Sequence, residues 1–205
     1  MNILHLDSSI LGDQSVSRQL SQQVVTRLTQ DHANAKVVYR DLVANPINHL
    51  DLGALSASQM PADQLSAEQK AQLALTETLL DELFAADVIV IGMPFYNFGM
   101  PSQLKTWIDH ITVAGRTFSY TESGPVGLVT GKKVILVSSR GGVYSNSQTP
   151  GLDYHESHLH AVFTLLGLDN ITNIRAEGVK MGDEFKDKAL TSAGEKINQL
   201  SVAAA

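Results

Sequence analysis

Three aromatic side chains and one amide stand together at residues 95–98, directly after an apolar run. Phe95, Tyr96 and Phe98 offer flat surfaces, and Asn97 offers a paired hydrogen-bond donor and acceptor. The run at 88–91 predicts a strand that is buried on both faces. Such a group is better suited to bind a planar ring with polar edges than to bind a phosphate. The alternative is that Phe95 and Phe98 belong to the core and Asn97 only holds a turn, since tandem aromatic residues are more often core.

Serines recur near the start of the chain, where a strand at 2–7 precedes a helix predicted from residue 18. Ser9, Ser15 and Ser17 add hydroxyl groups to the N–H groups and the positive end of that helix, which together can bind an anion. The segment lacks G-x-G-x-x-G, and the chain lacks G-x-x-x-x-G-K-[ST]. The pattern therefore argues against a dehydrogenase with the dinucleotide-binding fold and excludes an ordinary P-loop NTPase. It favours the binding of a monophosphate. Alternatively, Ser15 and Ser17 only cap the helix.

A third group, Ser139-Arg140-Gly141-Gly142, follows the apolar run at 134–138. The two glycines let the backbone approach a flat ring closely. Taken alone, the same residues are more often a plain strand-to-loop turn.

The elements that must position these residues follow from the spacing of apolar side chains. Predicted strands cover residues 2–7, 36–42, 88–91, 134–138 and 170–177. Predicted helices cover residues 18–30, 66 to 85 or 86, 102–115, 154–166 and 183–202. An irregular hairpin is predicted at 117–129, a polar loop at 143–152, and a long connection without a sustained period at 43–65.

Strands that alternate with helices predict one α/β domain over residues 1–205, with a doubly wound, five-stranded parallel sheet and helices on both faces. The strand order 2-1-3-4-5, as in flavodoxin, is the interpretation we favour. In that order strands 1, 3 and 4 are neighbours. The three groups of residues then converge at the carboxyl edge of the sheet, where such folds bind ligands.

The overall composition excludes several other kinds of protein. The 205 residues carry a formal net charge of -6, which argues against a protein held mainly by nucleic-acid phosphates. Cysteine is absent, so disulfides, thiol catalysis and iron–sulfur clusters are excluded. The start of the chain has no signal-peptide pattern, and no apolar run is long enough to span a membrane. We therefore expect a cytoplasmic enzyme or binding protein.

Together these residues resemble the bacterial FMN-dependent NADH-azoreductases, which are flavodoxin-like NAD(P)H:quinone oxidoreductases. The resemblance is carried by the serines at 9–17, the segment 93–105 and the segment 139–142. It extends to 40–47 and 127–133, and thus covers essentially the whole chain. One departure is Phe95, where many family members carry methionine. Both side chains are apolar and can pack on a ring.

The resemblance implies a bound FMN, with NADH or NADPH as the electron donor. The implied cofactor-binding residues are Ser9, Ser15, Val16, Ser17, Phe95, Tyr96, Asn97, Phe98, Ser139, Arg140, Gly141 and Gly142. The first four would hold the phosphate, the next four would line the isoalloxazine, and the last four would close the other side of the ring. Tyr120 and Phe163 are candidate aromatic walls of the acceptor pocket.

The implied reaction is a two-electron, ping-pong hydride transfer from NAD(P)H through FMN to a quinone or an azo compound. The chemistry takes place at flavin N5, so no obligate catalytic acid or base is expected, although Tyr120 and Tyr144 could donate a proton. Family members are homodimers with the site at the subunit interface. Neither nucleic acid nor a membrane is an expected partner.

Two other functions stay open. A flavodoxin-like electron-transfer protein without its own small-molecule acceptor would share the fold, but it would not need the connection at 43–65 or the hairpin at 117–129. An FMN-free α/β protein such as a hydrolase has less support, because the chain lacks G-x-S-x-G.

Three histidines and a glutamate crowd the start of the helix at 154–166. His155 and His158 could share a helix face, an arrangement that would suit a metal ion. A third ligand on that face is not evident. We therefore expect a solvated or interface helix and no metal site.

Overall fold

The computed structural model of the protein describes residues 1–32, 34–145 and 151–201. The strands in these ranges are β1 (Asn2–Asp7), β2 (Lys36–Asp41), β3 (Val88–Pro94), β4 (Phe118–Thr121), β5 (Gly124–Gly127), β6 (Lys133–Arg140) and β7 (Asn170–Glu177). The helices are α1 (Val16–Asp31), α2 (Leu52–Ala57), α3 (Ala67–Ala85), α4 (Ser102–Ile111), α5 (His155–Leu166) and α6 (Asp183–Asn198). Part of the predicted loop at 143–152, and the predicted helix end at 202, lie outside the described residues.

Five parallel strands form one sheet in the order β2-β1-β3-β6-β7, which gives the predicted doubly wound α/β fold. The predicted order 2-1-3-4-5 matches only when β4 and β5 are left out of the count, because these two strands form a separate antiparallel hairpin. β3 is central, and all its residues are buried. β1 and β6 pair with β3 on either side, with Val88 opposite both Ile3 and Lys133.

Helices cover both faces of the sheet, because successive side chains of each strand point to opposite faces. On one face, α1 and α6 pack through residues that include Leu20, Val24, Ala193 and Ile197. On the other face, α3, α4 and α5 pack through residues that include Leu79, Leu83, Leu104, Trp107 and Leu159. Each fully buried Leu or Val stabilises the fold by about 1.5–3 kcal/mol, so the central strands are held from both sides. Within the described ranges, none of the helices combines the length and hydropathy that a membrane span requires.

Hydrogen bonds confirm the predicted cap residues of two helices, although α1 begins at Val16 and not at residue 18. The hydroxyl of Ser66 accepts from the N–H of Gln69 at 3.1 Å, and the side chain of Gln69 accepts from the N–H of Ser66 at 3.0 Å. This reciprocal arrangement is a capping box. Ser15 caps α1 by accepting from the N–H of Arg18 at 3.3 Å.

Other boundaries differ from the prediction for local reasons. α4 ends at Ile111 and not at 115, because the hydroxyl of Thr117 donates to the carbonyl of Ile111 at 2.7 Å and accepts from the N–H of Val113 at 2.9 Å. The connection at 43–65 contains α2, which Asp51 caps by accepting from the N–H of Ala54 at 2.7 Å. Its six residues are too few to show a helical period in the sequence.

β3 and β6 both extend further than predicted, through Pro94 and Arg140. Pro94 remains in the ladder and pairs with Ser139. Ser139 and Arg140 also pair with β7, so the loop predicted at 139–142 begins only at Gly141.

Gly92 lies where β3 passes close to buried polar side chains of β1 and α1. A Cβ atom at this position would lie 2.2 Å from Oδ1 of Asp7 and 2.9 Å from Oγ of Ser21. Both side chains are buried, and Ser21 donates to Asp7 at 2.8 Å. The hydrogen bond therefore depends on the absence of a side chain at position 92.

We predict that Gly92→Ala lowers the free energy of unfolding by about 2–4 kcal/mol, because it overpacks the core and disturbs a buried polar pair. Urea unfolding followed by circular dichroism measures the change. Gly194→Ala is the matched control, because a Cβ there meets no atom within 4 Å. It should stabilise α6 by about 0.5–1 kcal/mol. Equal stability of Gly92→Ala and the wild type would contradict the proposed role of Gly92.

Candidate active site

The carboxyl ends of β1, β3 and β6 meet at one edge of the sheet, and hydrogen bonds join the segments that leave them. The hydroxyl groups of Ser9 and Tyr96 lie 3.3 Å apart. The N–H of Phe95 donates to the carbonyl of Ser139 at 2.8 Å. The three groups of residues predicted to converge are therefore connected to one another in the folded chain.

The serine loop combines a helix cap with a geometry that suits an anion. Ser15 is the cap of α1, and its Oγ lies 3.1 Å from that of Ser17 in the first turn. The first N–H groups of a helix have no acceptor within the helix, and the helix dipole adds partial positive charge there. Ser9, Ser15 and Ser17 are buried, whereas Ile10 and Leu11 of the same loop are 61% and 48% exposed. Capping by Ser15 is therefore confirmed, and anion binding by the same segment stays a prediction.

The aromatic segment is a tight turn with an uncommon backbone conformation. Tyr96 and Gly99 exchange backbone hydrogen bonds of 3.0 and 2.9 Å, which close the turn. Between them, Asn97 and Phe98 both have positive φ, 48° and 67°. Asparagine tolerates this left-handed region, but phenylalanine adopts it at a cost of about 1–2 kcal/mol. Such strain concentrates at functional sites, where the surrounding structure enforces it.

Exposure decides between the two interpretations of this segment. Asn97 and Phe98 are exposed, whereas Phe95 and Tyr96 are half-buried. The ring centroids of Phe95 and Phe98 lie 6.1 Å apart in an edge-to-face arrangement. The alternative in which Phe98 belongs to the core is therefore wrong, and the turn leaves an aromatic ring and an amide exposed at this edge of the sheet.

Tyr144 is a further aromatic residue of the site, which the sequence suggested only as a proton donor. Its ring centroid lies 4.6 Å from that of Phe95 and 6.3 Å from that of Phe98. A Cβ at Gly142 would lie 3.3 Å from the Tyr144 ring, so the ring packs closely against this glycine. A lone tyrosine shortly after a Gly-Gly pair gives no periodic signal, and only the fold reveals these contacts.

Arg140 lies at the site, but its side chain points into the protein. The guanidinium is fully buried and forms ion pairs with Asp153 at 2.8 Å, Glu156 at 2.8 Å and Glu177 at 2.9 Å. Its Cζ lies 5.5 Å from the centroid of the Phe95 ring. The side chain of Arg140 is therefore enclosed by its carboxylate partners, and its backbone carbonyl accepts from the N–H of Val179 at 3.1 Å.

The two predicted acceptor-pocket residues differ in exposure. Tyr120 lies on β4, is 76% exposed, and packs edge-on against Phe118 with 5.4 Å between ring centroids. Phe163 is fully buried in the apolar layer, with Leu159 and Leu166 of the same helix. The prediction for Phe163 is wrong, because its face of α5 packs against the sheet.

The histidines at the start of α5 do not form a solvated cluster. His155 is fully buried, His158 is exposed, and Nε2 of His160 lies 3.2 Å from Nδ2 of Asn173. In the part of the chain that the structure describes, no group of three or more His, Cys, Asp or Glu side chains is placed to hold a metal ion.

His155 is a buried polar side chain beside the aromatic rings. Its centroid lies 5.6 Å from that of Phe95, and neither ring nitrogen has a hydrogen-bond partner among the described residues. Burial, and then the charge of Arg140, lower the pKa of His155 from 6.5 to about 4. The folded imidazole is therefore neutral at pH 7, and unfolding below pH 6.5 is coupled to proton uptake.

We predict that His155 makes the fold sensitive to acid. Because its folded pKa is the lower one, its contribution to stability is complete above pH 6.5 and is lost as the pH falls toward 4. The loss between pH 7.5 and 5.5 should be about 1.3 kcal/mol. His155→Leu removes this loss together with two buried nitrogen atoms that have no hydrogen-bond partner among the described residues. The variant should therefore also gain about 1–2 kcal/mol of stability at pH 7.5.

Denaturant unfolding of the wild type and of both histidine variants, at pH 7.5 and 5.5, measures these effects. His158→Leu is the control, since His158 is exposed on the same helix and should retain the wild-type pH dependence. If His155→Leu also retained the full pH dependence, the assignment to His155 would be wrong.

Comparison with known proteins agrees with this geometry. A family model described as the flavodoxin-like fold matches residues 1–200. The FMN-dependent NADH:quinone oxidoreductase of Chromobacterium violaceum is 49% identical over 202 residues, which cover 98% of this chain and 100% of that protein. The enzyme of the same name from Azospirillum brasilense is 50% identical over 204 residues, which cover 98% of each chain.

The structural comparison gives the same answer. The crystal structure of an FMN-dependent NADH-azoreductase from Bacillus anthracis in complex with FMN matches with a TM-score of 0.88 at 26% identity. The match covers 97% of this chain and 96% of that one. The chain therefore belongs to the family of the FMN-dependent NADH:quinone oxidoreductases, within the flavodoxin-like fold.

Proposed function

We propose that this protein is an FMN-dependent NADH:quinone oxidoreductase with azoreductase activity, which transfers a hydride from NADH or NADPH to a quinone or azo acceptor. The observation that carries the proposal is the exposed, strained turn at Asn97 and Phe98, between a serine-rich helix start and a Gly-Gly segment. The names of the relatives and the FMN-bound azoreductase support it.

FMN fits the residues present, because it joins a phosphate to a flat ring with a polar edge. The phosphate would bind at the start of α1, through the serine side chains of that loop and the N–H of Val16. The isoalloxazine would lie against the segment 95–98, with Asn97 at its polar edge. The segment 139–142 would close the other side, where its two glycines allow close approach of the backbone.

When bound, FMN would supply the hydride-transfer chemistry, and the residues of the site would hold it and orient the reactants around it. Phe98 and Tyr144 present aromatic surfaces that can pack against planar groups. Asn97 would hold the polar edge of the ring through its side-chain amide. The proposal requires no obligate acid or base, and protons come from water or from a tyrosine hydroxyl such as that of Tyr120.

An electron carrier without its own acceptor is the second candidate, and the substructures added to the sheet argue against it. The hairpin β4–β5 and the connection containing α2 are both ordered. His110 fastens that connection, with Nε2 2.9 Å from the carbonyl of Asn48 and Nδ1 2.8 Å from the hydroxyl of Thr76. Ordered additions of this kind are more useful for shaping an acceptor pocket than for carrying electrons.

We further propose a single FMN-binding domain over residues 1–205 that forms a homodimer in the cytoplasm, with the acceptor pocket at the subunit interface. Exposed apolar side chains support an interface on this part of the molecule. They include Ile10, Leu11, Phe98, Tyr120 and Tyr154. Neither nucleic acid nor a membrane is part of the proposal.

The cofactor and the kinetics test the proposed function. We predict that the purified protein is yellow and releases FMN on denaturation. With NADH and a quinone varied together, double-reciprocal plots should give parallel lines, because donor and acceptor use one site in turn. Protein that takes up no FMN would contradict the proposal. FMN binding without quinone turnover would favour the electron carrier, and intersecting lines would contradict the shared site.

Asn97→Gly separates ligand recognition from turn geometry, because glycine accepts the φ of 48° without supplying an amide. We predict that the Kd for FMN rises about three- to tenfold, as expected for the loss of one hydrogen bond. The stability of the FMN-free protein should stay within about 0.5 kcal/mol of the wild type.

Asn97→Ala is the matched comparison, since it also lacks the amide but is strained at positive φ. It should lose about 1 kcal/mol of stability in addition. Fluorescence titration with FMN and urea unfolding give the two readouts. An unchanged FMN affinity in Asn97→Gly would show that Asn97 only shapes the turn.

A further inference from the structure

Five charged side chains form a cluster behind Phe95, at the carboxyl ends of β6 and β7. This guanidinium–carboxylate cluster consists of Arg140, Asp153, Glu156, Arg175 and Glu177. Arg140 lies at its centre and pairs with all three carboxylates. Glu156 bridges the two arginines, at 2.8 Å from Nη2 of Arg140 and 2.5 Å from Nη2 of Arg175.

The cluster also holds the segments that line the candidate site. Glu177 accepts a hydrogen bond from the N–H of Tyr144 at 3.1 Å. Glu156 accepts one from the hydroxyl of Ser138 on β6 at 3.0 Å. The guanidinium at the centre lies against the Phe95 ring. A change in the cluster would therefore disturb both the aromatic turn at 95–98 and the segment from Ser139 to Tyr144.

Stability alone does not explain such a cluster. Ion pairs recover only part of the cost of removing charges from water, and apolar replacements of buried pairs are often equally stable. Burial acts to raise the pKa of Glu156, but the hydrogen bond from Arg175 and the charge of Arg140 outweigh it and lower that pKa below its ordinary value. Glu156 is therefore ionised at neutral pH although it is only 4% exposed.

The charges of the cluster do not cancel. Two guanidinium groups and three carboxylates leave one net negative charge beside the aromatic wall. Reduced flavin carries more negative charge than oxidised flavin, so negative charge close to the ring opposes reduction. Buried charges are screened much less than exposed ones, so the effect persists at physiological salt.

We propose that Glu156 is a positioning residue of the flavin site, which fixes Arg140 behind Phe95 and, through the net charge of the cluster, sets the reduction potential of bound FMN. The inference rests on the proposed function, since it requires FMN against the segment 95–98. Glu156, which would not touch the cofactor, would then control how readily the cofactor accepts a hydride.

Potentials of the FMN-loaded variants, measured by equilibration with reference dyes, test the proposal. Glu156→Gln keeps the shape of the side chain and removes one negative charge, so the equilibrium should shift about tenfold toward reduced FMN, a potential about 30 mV less negative. Arg175→Gln removes one positive charge and should shift the equilibrium in the opposite direction. Glu82→Gln is the control, because Glu82 pairs with Arg40 between α3 and the edge strand β2, and it should leave the potential unchanged.

Opposite shifts in the two cluster variants, with no shift in the control, support the proposal, because a purely structural disturbance does not follow the sign of the removed charge. Any other combination overturns it. If Glu156→Gln fails to fold, Asp153→Asn removes a negative charge at a side chain that is 26% exposed and should shift the potential in the same direction. Wild-type protein that binds no FMN overturns the proposed function, whereas FMN binding without these shifts overturns this inference alone.

Discussion

The pairing of buried parallel strands is the constraint on which the rest of the structure depends. β3 is buried along its whole length and pairs with β1 and β6. Because the three strands run parallel, they end at the same edge of the sheet, and their loops begin beside one another. A slip of one residue would exchange the two faces of a strand and move its loop by about 3.3 Å. The apolar core and the strand pairing therefore decide where the loops of the site lie.

Several features that reduce the stability of the fold lie at this edge of the sheet. The burial of apolar side chains in the two layers of the core offsets their cost. Asn97 and Phe98 lie in the left-handed region of backbone space. His155 is buried with both ring nitrogens unpaired among the described residues. Arg140 is a buried cation that needs carboxylates from two other elements. Features of this kind each cost about 1–3 kcal/mol, so their concentration in one region is better explained by ligand binding than by stability.

Most of the fold could be predicted because its signals are local. The apolar run at 88–91, the strand at 170–177 and the capping box at Ser66 each depend on neighbouring residues alone. The errors arise where a side chain outside the local apolar pattern decides the outcome. α4 is ended by the hydroxyl of Thr117, which follows it in the chain. The resemblance suggests Phe163 for a pocket by its position, and the spacing of an aromatic residue on an amphipathic helix does not show whether it faces a ligand or the sheet.

The candidate site likewise has parts that could be predicted from local signals and parts that could not. The segments that contain Ser15, Asn97 and Gly141 could be predicted, because each follows a strand that is itself predictable. The burial of Arg140 could not, since a charged residue is rarely enclosed unless it is paired, and its partners Glu156 and Glu177 stand 16 and 37 residues further along the chain. When a cofactor carries out the chemistry, the protein acts through the position and charge of the groups around it. The segments proposed to touch the cofactor can therefore be recognised in the sequence, whereas the partners of Arg140 are brought together by long-range contacts and are recognised only in the folded chain.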